Sequence, residues 1–567
     1  MQHKWILPQV RGEQHTIGSL FSLLPAVPKF LDTLLFQKGF STTEAAEKFL
    51  YPKLKSLSRP ELLPGVERAV TRLDVAVRKK ERLVLYGDYD VDGVASLAFL
   101  SRILAAYGIQ AKCFLPLRAE EGYGLSTAGV ERCFEEHNPQ LLIVVDCGTN
   151  SVKEVAEIRR RGADVIILDH HEPTSERPDC TALVNPKLES DFHYLCSAGV
   201  VFKLVHAFLK HHPCPGLDLK EYLDFVALAT VSDLVPLVEE NRILVKKGLK
   251  QMENTRWPGL KALMRVAGVK APIQASDIGF RLGPRINAAG RLGTAQQALA
   301  LLLSEDLTES ARIAANLDVQ NRERQAVEKA VVREVDLWVE AHHDPKRDVS
   351  IVAGHRDWHN GVLGIVASRI TRRYHRPTFL VGFDSNGTGK GSGRSIEGLS
   401  LVAVLQYCSH ALEKFGGHEM AAGLTVREEK FEIFRTSFEE AARSLLAPEM
   451  LIPYLRLHAE IHGEDLSPSI LEWQDILEPF GSANPQPLFL LRQVKPACEP
   501  RWMRDKHLRL EFAWQSRRHQ AVFFNAPDLP NPPWDIAFYL DRNEFNGNIS
   551  LQLRIIDIRT SVRDEKQ

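Results

Sequence analysis

Between about residues 80 and 185, short unbroken apolar runs alternate with stretches in which apolar positions recur every three or four residues. The runs are Leu83 to Tyr86, Ala111 to Leu115, "LLIVVD" ending at Asp146, "DVIILDH" ending near Asp169, and "TALVN" ending at Asn185. Such runs read as buried strands, and strands alternating with helices predict an α/β domain with a parallel, doubly wound sheet. Ligands of such sheets bind just beyond the carboxyl ends of the strands. Residues 216 to 300 read as mostly helical, broken by "DLVPL" and by the glycine-rich "RLGPRINAAGRLG". From Thr308 to His342 a highly charged stretch carries Val327, Val331, Val335 and Trp338 at helical spacing. More than thirty residues at about 1.5 Å each predict a helix roughly 45 Å or more in length, enough to link two lobes.

A second, smaller α/β lobe is expected from "VSIVAG" to about Ala447. Beyond Pro453, "YLRLHAEI", "HLRLEFAW", "QAVFFN", "DIAFYLD" and "ISLQLRIIDI" alternate or run apolar between turn residues, which suits a five-stranded antiparallel barrel of the OB type. The expected division is an N-terminal helical segment (1–75), a catalytic domain (76–300), a connecting helix (301–345), a second α/β domain (346–450) and an OB-type β-barrel (451–567).

The chain's 567 residues exceed what one ordinary core serves, so two to four domains are the prior. No apolar run approaches the length needed to cross a bilayer, and "MQHKWILPQV" lacks the apolar stretch of a secretory signal, so a cytoplasmic location is expected. The eight cysteines form no C-x-x-C pair and are expected as reduced thiols, with Cys147 as packing material. A formal net charge of −1 leaves a nucleic-acid partner open, because an acidic metal site can mask a basic groove.

"GDYDVDG" begins like a calcium-binding EF-hand loop, but position twelve counted from Asp88 is Phe99 rather than glutamate, and a strand rather than a helix precedes it. Asp88, Asp90 and Asp92 instead follow one predicted strand, Asp146 ends a second, and Asp169, His170 and His171 end a third. One aspartate at a strand end is usually a turn former or helix cap. Three strands delivering acids and histidines to one sheet edge reverse that reading. Asp233, in the apolar "ATVSDLVPL", needs a cation or a partner if buried. Many carboxylates with one or two histidines favour Mn²⁺ or Mg²⁺ over zinc. Two such ions about 4 Å apart can activate a water and stabilise the leaving oxygen of a phosphoester.

"GKGSGRS" looks at first like a nucleotide-binding P-loop, but Asp384 stands where its first glycine belongs and Gly391 where serine or threonine should follow the lysine. A glycine-rich turn carrying Lys390, Ser392 and Arg394 can still serve a phosphate, or be a solvated turn.

The ordered set "GDYDVDG", "EEGYGL", "VDCGT", "LDHHE", "ATVSDLVPL", "GPRINAAGRLG", "WHNGVLGIVASR", "GKGSGRS", "FGGHEMAAG" and "LEPFGSANPQP" resembles the DHH phosphoesterase superfamily, and within it the single-stranded-DNA-specific exonucleases. The resemblance implies 5′→3′ exonuclease activity on single-stranded DNA, release of 5′ mononucleotides by a two-metal mechanism with Mn²⁺ or Mg²⁺, and a role in DNA recombination and repair. It makes Asp90, Asp92, Asp146, His170 and Asp233 metal ligands, with Asp146 as the bridge, and sets His171 beside the scissile phosphate. Many members have histidine where this chain has Tyr86, so Asp88 either takes the missing ligand's role or the first metal is held more weakly. The resemblance also places the second lobe across a cleft from the metal lobe and implies that Ser392 and Arg394 bind a terminal 5′ phosphate, with Arg118, Arg285 and the Gly416, Gly417, His418 motif along the substrate path.

Tyr123 is a candidate stacking platform, Arg291 is open to a structural role, and Arg501, Arg504, Lys506, Arg509, Arg517 and Arg518 are candidate strand contacts on the barrel. Implied partners are single-stranded DNA, a single-stranded-DNA-binding protein and a RecQ-type helicase. Two rivals remain: a phosphodiesterase for very short oligonucleotides or cyclic dinucleotides, and a non-catalytic scaffold.

Overall fold

Five strands, Leu83–Gly87, Lys112–Phe114, Leu141–Val145, Asp164–Leu168 and Ala182–Val184, form one wholly parallel sheet in the computed structural model. The structure describes residues 3–8, 28–117, 121–122, 124–292, 294–504, 506–514, 517–545 and 547–561. In space the strands run second, first, third, fourth, fifth. The order reverses between Leu83–Gly87 and Leu141–Val145, and a crevice opens at the carboxyl ends of such a strand pair. Both strands are buried at every position, which is why they lack a polar alternation. The helix Val91–Ala106 is buried nearly all round, and it packs against Ser197–His211 and Leu223–Ser232.

The glycine-rich "RLGPRINAAGRLG" does not break the helical region as expected. Ile278–Leu282 makes a π-helical turn and Gly283–Leu292 an α-helix. The helical run is unbroken from Ala275 to Leu292, and Pro284, which has no N–H to donate, stands just after the π-helical turn, where the regular ladder is already interrupted. A side chain at Gly283 would meet Ser232 Oγ at 2.7 Å, so the small residue serves close helix packing.

The described residues divide into two compact units: one holds those of Trp5–Asn287, Ala295–Ala314 and Arg456–Gln567, the other those of Met1–Lys4, Ala288–Thr294 and Ala315–Leu455. The predicted long helix is Leu307–His342, 36 residues, and the division falls within it. Its Val331, Val335 and Val339 are buried against Ile351, Trp358, Val362 and Val366 of the second lobe, with Val327 and Trp338 packed at the edge of that cluster.

The second lobe's sheet runs Ile351–His355, Thr378–Phe383, Thr388–Arg394, Ala421–Arg427, Lys414–Gly417 in space, parallel at the first pair and antiparallel thereafter. "GKGSGR" is therefore a strand, not a turn, and the reason lies beneath it. A side chain at Gly389 would meet Phe383 at 2.6 Å, one at Gly391 would meet Phe379 at 3.0 Å, and one at Gly393 would meet Phe379 at 2.3 Å. Alternate glycines admit large core aromatics, and the period of two turns Lys390, Ser392 and Arg394 to the other face.

The C-terminal sheet has seven strands rather than five, ordered Ala459–Glu460, Phe489–Val494, Trp534–Phe545, Asn548–Thr560, Arg517–Phe524, His507–Trp514, Arg501–Met503, with two parallel pairings. Arg501–Met503 is too short to show a pattern. Phe489–Val494 is hidden in the sequence by its wholly buried start and by a register shift between Leu491 and Val494. The N-terminal helices Lys29–Gln37 and Thr43–Leu50 bury Phe30, Leu31, Leu34, Leu35, Ala46 and Leu50 in this sheet's core.

Candidate functional site

Asp88 lies just past the strand Leu83–Gly87 and is fully buried. Asp90 caps the helix Val91–Ala106, its Oδ1 accepting the Gly93 N–H at 3.1 Å. Asp92, in the first turn, accepts the N–H groups of Ser197 (2.7 Å) and Ala198 (2.9 Å) and so fixes the N-terminus of the helix Ser197–His211. Asp146 follows the strand Leu141–Val145 in the left-handed region, at φ 63°. Its N–H donates to Leu168 O (2.9 Å), and its Oδ1 accepts the Ser197 hydroxyl (2.9 Å). Asp233 stands at the C-terminus of the helix Leu223–Ser232.

His170 Nε2 is the centre on which these groups converge. It lies 3.4 Å from Asp146 Oδ1, 3.4 Å from Asp233 Oδ2 and 3.8 Å from Asp92 Oδ2. Neither His170 Nε2 nor Asp233 Oδ2 has a hydrogen-bond partner, though both are buried. Ligand atoms of Asp146, His170 and His171 lie within 4.8 Å of one another, as do those of Asp92, His170 and Asp233, and those of Asp88, Asp90 and Asp146.

Burial, then repulsion from Asp92, Asp90, Asp88 and Asp233, holds the Asp146 carboxyl well above the usual carboxylate range. Burial, with Asp92 and Asp90 beside it, pushes Asp233 up to about 8, and burial followed by Asp92 also raises Asp90. Among the described residues no lysine or arginine pairs with Asp90, Asp92, Asp146 or Asp233; the ion pairs of the last three come from His170 alone. Burial keeps the His170 imidazole below its ordinary pKa, hence neutral, the form that ligates metals. A cluster of buried carboxylates with an unsatisfied neutral imidazole nitrogen and no lysine or arginine paired to it among the described residues fits a divalent cation bound by oxygen-rich ligands. A histidine adds the nitrogen donor that Mn²⁺ accepts.

His171 behaves differently from its neighbour. Its Nδ1 lies 2.7 Å from Asp169 Oδ1. Although burial alone would lower its pKa, the Asp169 carboxylate raises it to about 9. Asp169 is itself held below the usual range: burial opposes ionisation, but bonds from His171 and from the Thr149 N–H (2.9 Å) outweigh it. Asn185 completes the support, its Nδ2 donating to the His171 carbonyl and to Thr149 Oγ1, both at 2.9 Å.

Tyr86 does not face this cluster. Its ring stacks on Phe114 at 5.1 Å between centroids in the sheet's core, and its hydroxyl donates to Gly124 O at 3.1 Å. Asp88 is instead the residue brought beside Asp90 and Asp146.

On the second lobe, Arg394 Nη1 donates to Ser392 Oγ (3.3 Å) and to Gly393 O (2.7 Å), and a side chain at Gly364 would strike both Arg394 and Ser392 at 3.0 Å. Ser392 pairs with Gly423, which pairs with Gly416, so a row without side chains runs beside the hydroxyl. Gly417 and His418 continue from that row at an exposed hairpin end, where the His418 N–H donates to Ala421 O at 2.8 Å. Arg285 Nη1 donates to Arg281 O (2.6 Å), and Arg291 Nη1 to Gly361 O (3.0 Å), a packing role. Arg118 and Tyr123 lie outside the described residues. On the C-terminal sheet Arg501, Arg504, Arg509, Arg517 and Arg518 are exposed, and Arg518 is paired with Glu511 at 2.5 Å.

Sequence reasoning passed over Ser197, Thr149, Asn185 and the supporting role of Asp169. Asn185 and Asp169 were visible at the same sheet edge as the ligands. Ser197 was signalled only by small residues opening an apolar helix.

Residues 82–230 match the DHH family, N-terminal domain; residues 348–444 the DHHA1 domain; and residues 457–557 the RecJ OB domain. The chain is 35% identical over 563 residues to the single-stranded-DNA-specific exonuclease RecJ of Bacillus subtilis, covering 97% of this chain and 70% of that protein. It is 34% identical to that of Escherichia coli, over 97% and 99% of the two chains. The crystal structure of RecJ in complex with Mn²⁺ from Thermus thermophilus superposes with a TM-score of 0.84 at 31% identity, over 99% of this chain and 80% of that one. The Mg²⁺ complex from the same organism gives a TM-score of 0.78. No helix among the described residues is long and apolar enough to cross a membrane.

Proposed function

Because the chain belongs to the RecJ family of single-stranded-DNA-specific exonucleases, we propose that it digests single-stranded DNA from the 5′ end, releasing 5′ mononucleotides, with two Mn²⁺ or Mg²⁺ ions at the carboxylate–histidine cluster. The carrying observation is the convergence of Asp92, Asp146 and Asp233 on His170 Nε2, with Asp88 and Asp90 beside Asp146. Asp88, Asp90, Asp92, Asp146, His170 and Asp233 would hold the ions, Asp146 lying close both to Asp88 and Asp90 and to His170. Bound there, such ions supply an activated water and charge stabilisation for the leaving oxygen.

The chain's own groups do the rest. Asp92 ties the ligand cluster to the N-terminus of the helix Ser197–His211 and so fixes Ser197 beside Asp146. Asp169 keeps a proton on His171, which makes that ring a cation able to stabilise charge growing on the scissile phosphate. Ser392 and Arg394 offer a hydroxyl and a guanidinium to the terminal 5′ phosphate, beside a glycine row that lets backbone approach. Arg285, the Gly416–His418 segment and the exposed arginines of the C-terminal sheet are further candidate contacts for the strand.

Acting on chromosomal strands, the protein would work in the cytoplasm, in recombination and repair. A single-stranded-DNA-binding protein and a RecQ-type helicase would supply its substrate. The test is product analysis with Mn²⁺ on a uniformly labelled single strand and on the same sequence as blunt duplex. Mononucleotides bearing 5′ phosphate from the single strand alone support the reading, whereas equal digestion of duplex, or oligonucleotide products, would refute it.

A further inference from the structure

A cavity of about 390 Å³ lies within the larger unit, lined by the N-terminal helical region and the start of the helix Glu239–Met252. No residue of the carboxylate–histidine cluster lines it. Its walls carry four cationic side chains, Lys38, Lys48, Lys53 and Arg242. Lys48 is exposed and paired with Glu44 at 2.8 Å. The two glutamates of the wall do not neutralise the others. Glu240 is engaged by Lys203 Nζ at 2.6 Å and by the Ser58 N–H at 2.7 Å, and Glu239 is exposed.

Arg242 is only 2% exposed, yet among the described residues it pairs with no carboxylate. Its Nε donates to Phe49 O (2.7 Å) and its Nη2 to Ile476 O (3.0 Å), while Nη1 has no hydrogen-bond partner. Its guanidinium stands 3.9 Å from the Phe49 ring centroid, and the Lys38 ammonium 5.6 Å from the same centroid. Burial, then the neighbouring Arg242, brings Lys38 down to about 8, and burial brings Arg242 down to about 9. Two cations over one ring, one of them buried with no carboxylate in contact and only Glu478 acting on it from farther away, are costly unless an anion joins them.

We propose that this cavity binds a phosphate dianion, free or carried as a nucleoside 5′-monophosphate, with Arg242 and Lys38 as its ligands and Lys53 at the entrance. Phe40 and Ile243 give the apolar surface that a sugar or base would need. A strand-digesting enzyme releases such monophosphates, so occupancy would follow the accumulation of product. That consequence rests on the exonuclease reading; the anion site does not.

Titration calorimetry of the full chain carrying Asp146→Ala and Arg394→Gln, in EDTA, tests the site without contribution from the metal cluster or the second lobe. The ligands are inorganic phosphate and dAMP. One saturable equivalent is expected, weakened at least tenfold by adding Lys38→Gln and restored by Lys38→Arg, with a matching loss of the ligand-induced rise in melting temperature. Tighter binding of dAMP than of phosphate would assign the nucleotide, and equal binding the free ion. No saturable binding of either ligand, or binding that Lys38→Gln leaves unchanged, would overturn the proposal. Because no readout involves cleavage, its failure is distinct from failure of the nuclease reading.

Discussion

Replacing Gly393 by alanine should destabilise the second lobe while the same change at Gly416 should not. The added methyl at Gly393 would lie 2.3 Å from two carbons of the Phe379 ring. Phe379 is fully buried and braced by Phe434 and Phe438, at 5.7 and 5.9 Å between centroids, so it cannot swing away. Ordinary contact needs more than about 1 Å of movement, and overpacking of a closed core costs about 1–3 kcal/mol. At about 2–4 °C per kcal/mol for a domain of this size, a melting temperature lower by roughly 4–8 °C is expected for about 2 kcal/mol. At Gly416 nothing lies within 4 Å of the added carbon, so the shift there should stay within about 0.5 kcal/mol. The assay is thermal unfolding of both full-length variants, followed by cleavage of 5′-phosphorylated and 5′-hydroxyl strands. Gly393→Ala should also raise KM for the phosphorylated strand, because Ser392 and Arg394 flank the strained position. A Gly393→Ala protein as stable as wild type, or a Gly416→Ala protein equally weakened, would refute the strand-over-aromatics reasoning.

Tyr86→Phe should cost about 1 kcal/mol for the lost bond to Gly124 O and leave the Mn²⁺ dependence of cleavage unchanged; a raised Mn²⁺ requirement would return Tyr86 to the metal site. Ser197→Ala removes the hydroxyl on Asp146, and about tenfold weaker Mn²⁺ binding by calorimetry is expected, with unchanged affinity counting against that support. Asp224 is fully buried, accepts the Thr255 hydroxyl at 2.5 Å, and is pushed by burial from 3.8 up to about 7. The folded form therefore keeps its proton longer than the unfolded one. Stability from this group is complete below about pH 4 and lost as pH rises through about 7, up to about 4 kcal/mol. Urea unfolding across roughly pH 4 to 8 should show that decline flattened in Asp224→Asn; an identical slope in both proteins would exclude Asp224 as its source.

The parallel sheet is legible because its strands are buried on both faces and read as unbroken apolar runs, so Asp146 and His170 can be set at strand ends from the sequence. The acids that meet at His170 Nε2 come from separate segments, and only the order of strands in space and the packing of the helices Val91–Ala106 and Leu223–Ser232 bring them together. "GKGSGR" misleads because glycine usually marks turns, whereas here it answers to Phe379 and Phe383, remote in pattern though near in sequence. "GPRINAAGR" misleads for the opposite reason, since its proline is tolerated just after a π-helical turn and its first glycine packs against Ser232. Phe489–Val494 escapes notice because a bulge destroys the alternation by which strands are recognised. The orienting roles of Ser197 and Asn185 depend on a few hydrogen bonds between separate segments, which no local pattern records.

The central claim is that Asp146 belongs to a metal centre that removes nucleotides from the 5′ end. A long single strand labelled at its 3′ end, incubated with Mn²⁺ and either wild type or Asp146→Ala, tests polarity and centre together. The expected outcome is a ladder of progressively shorter 3′-labelled fragments with wild type and intact strand with the variant. Immediate release of labelled mononucleotide, or the same ladder from both proteins, would contradict it.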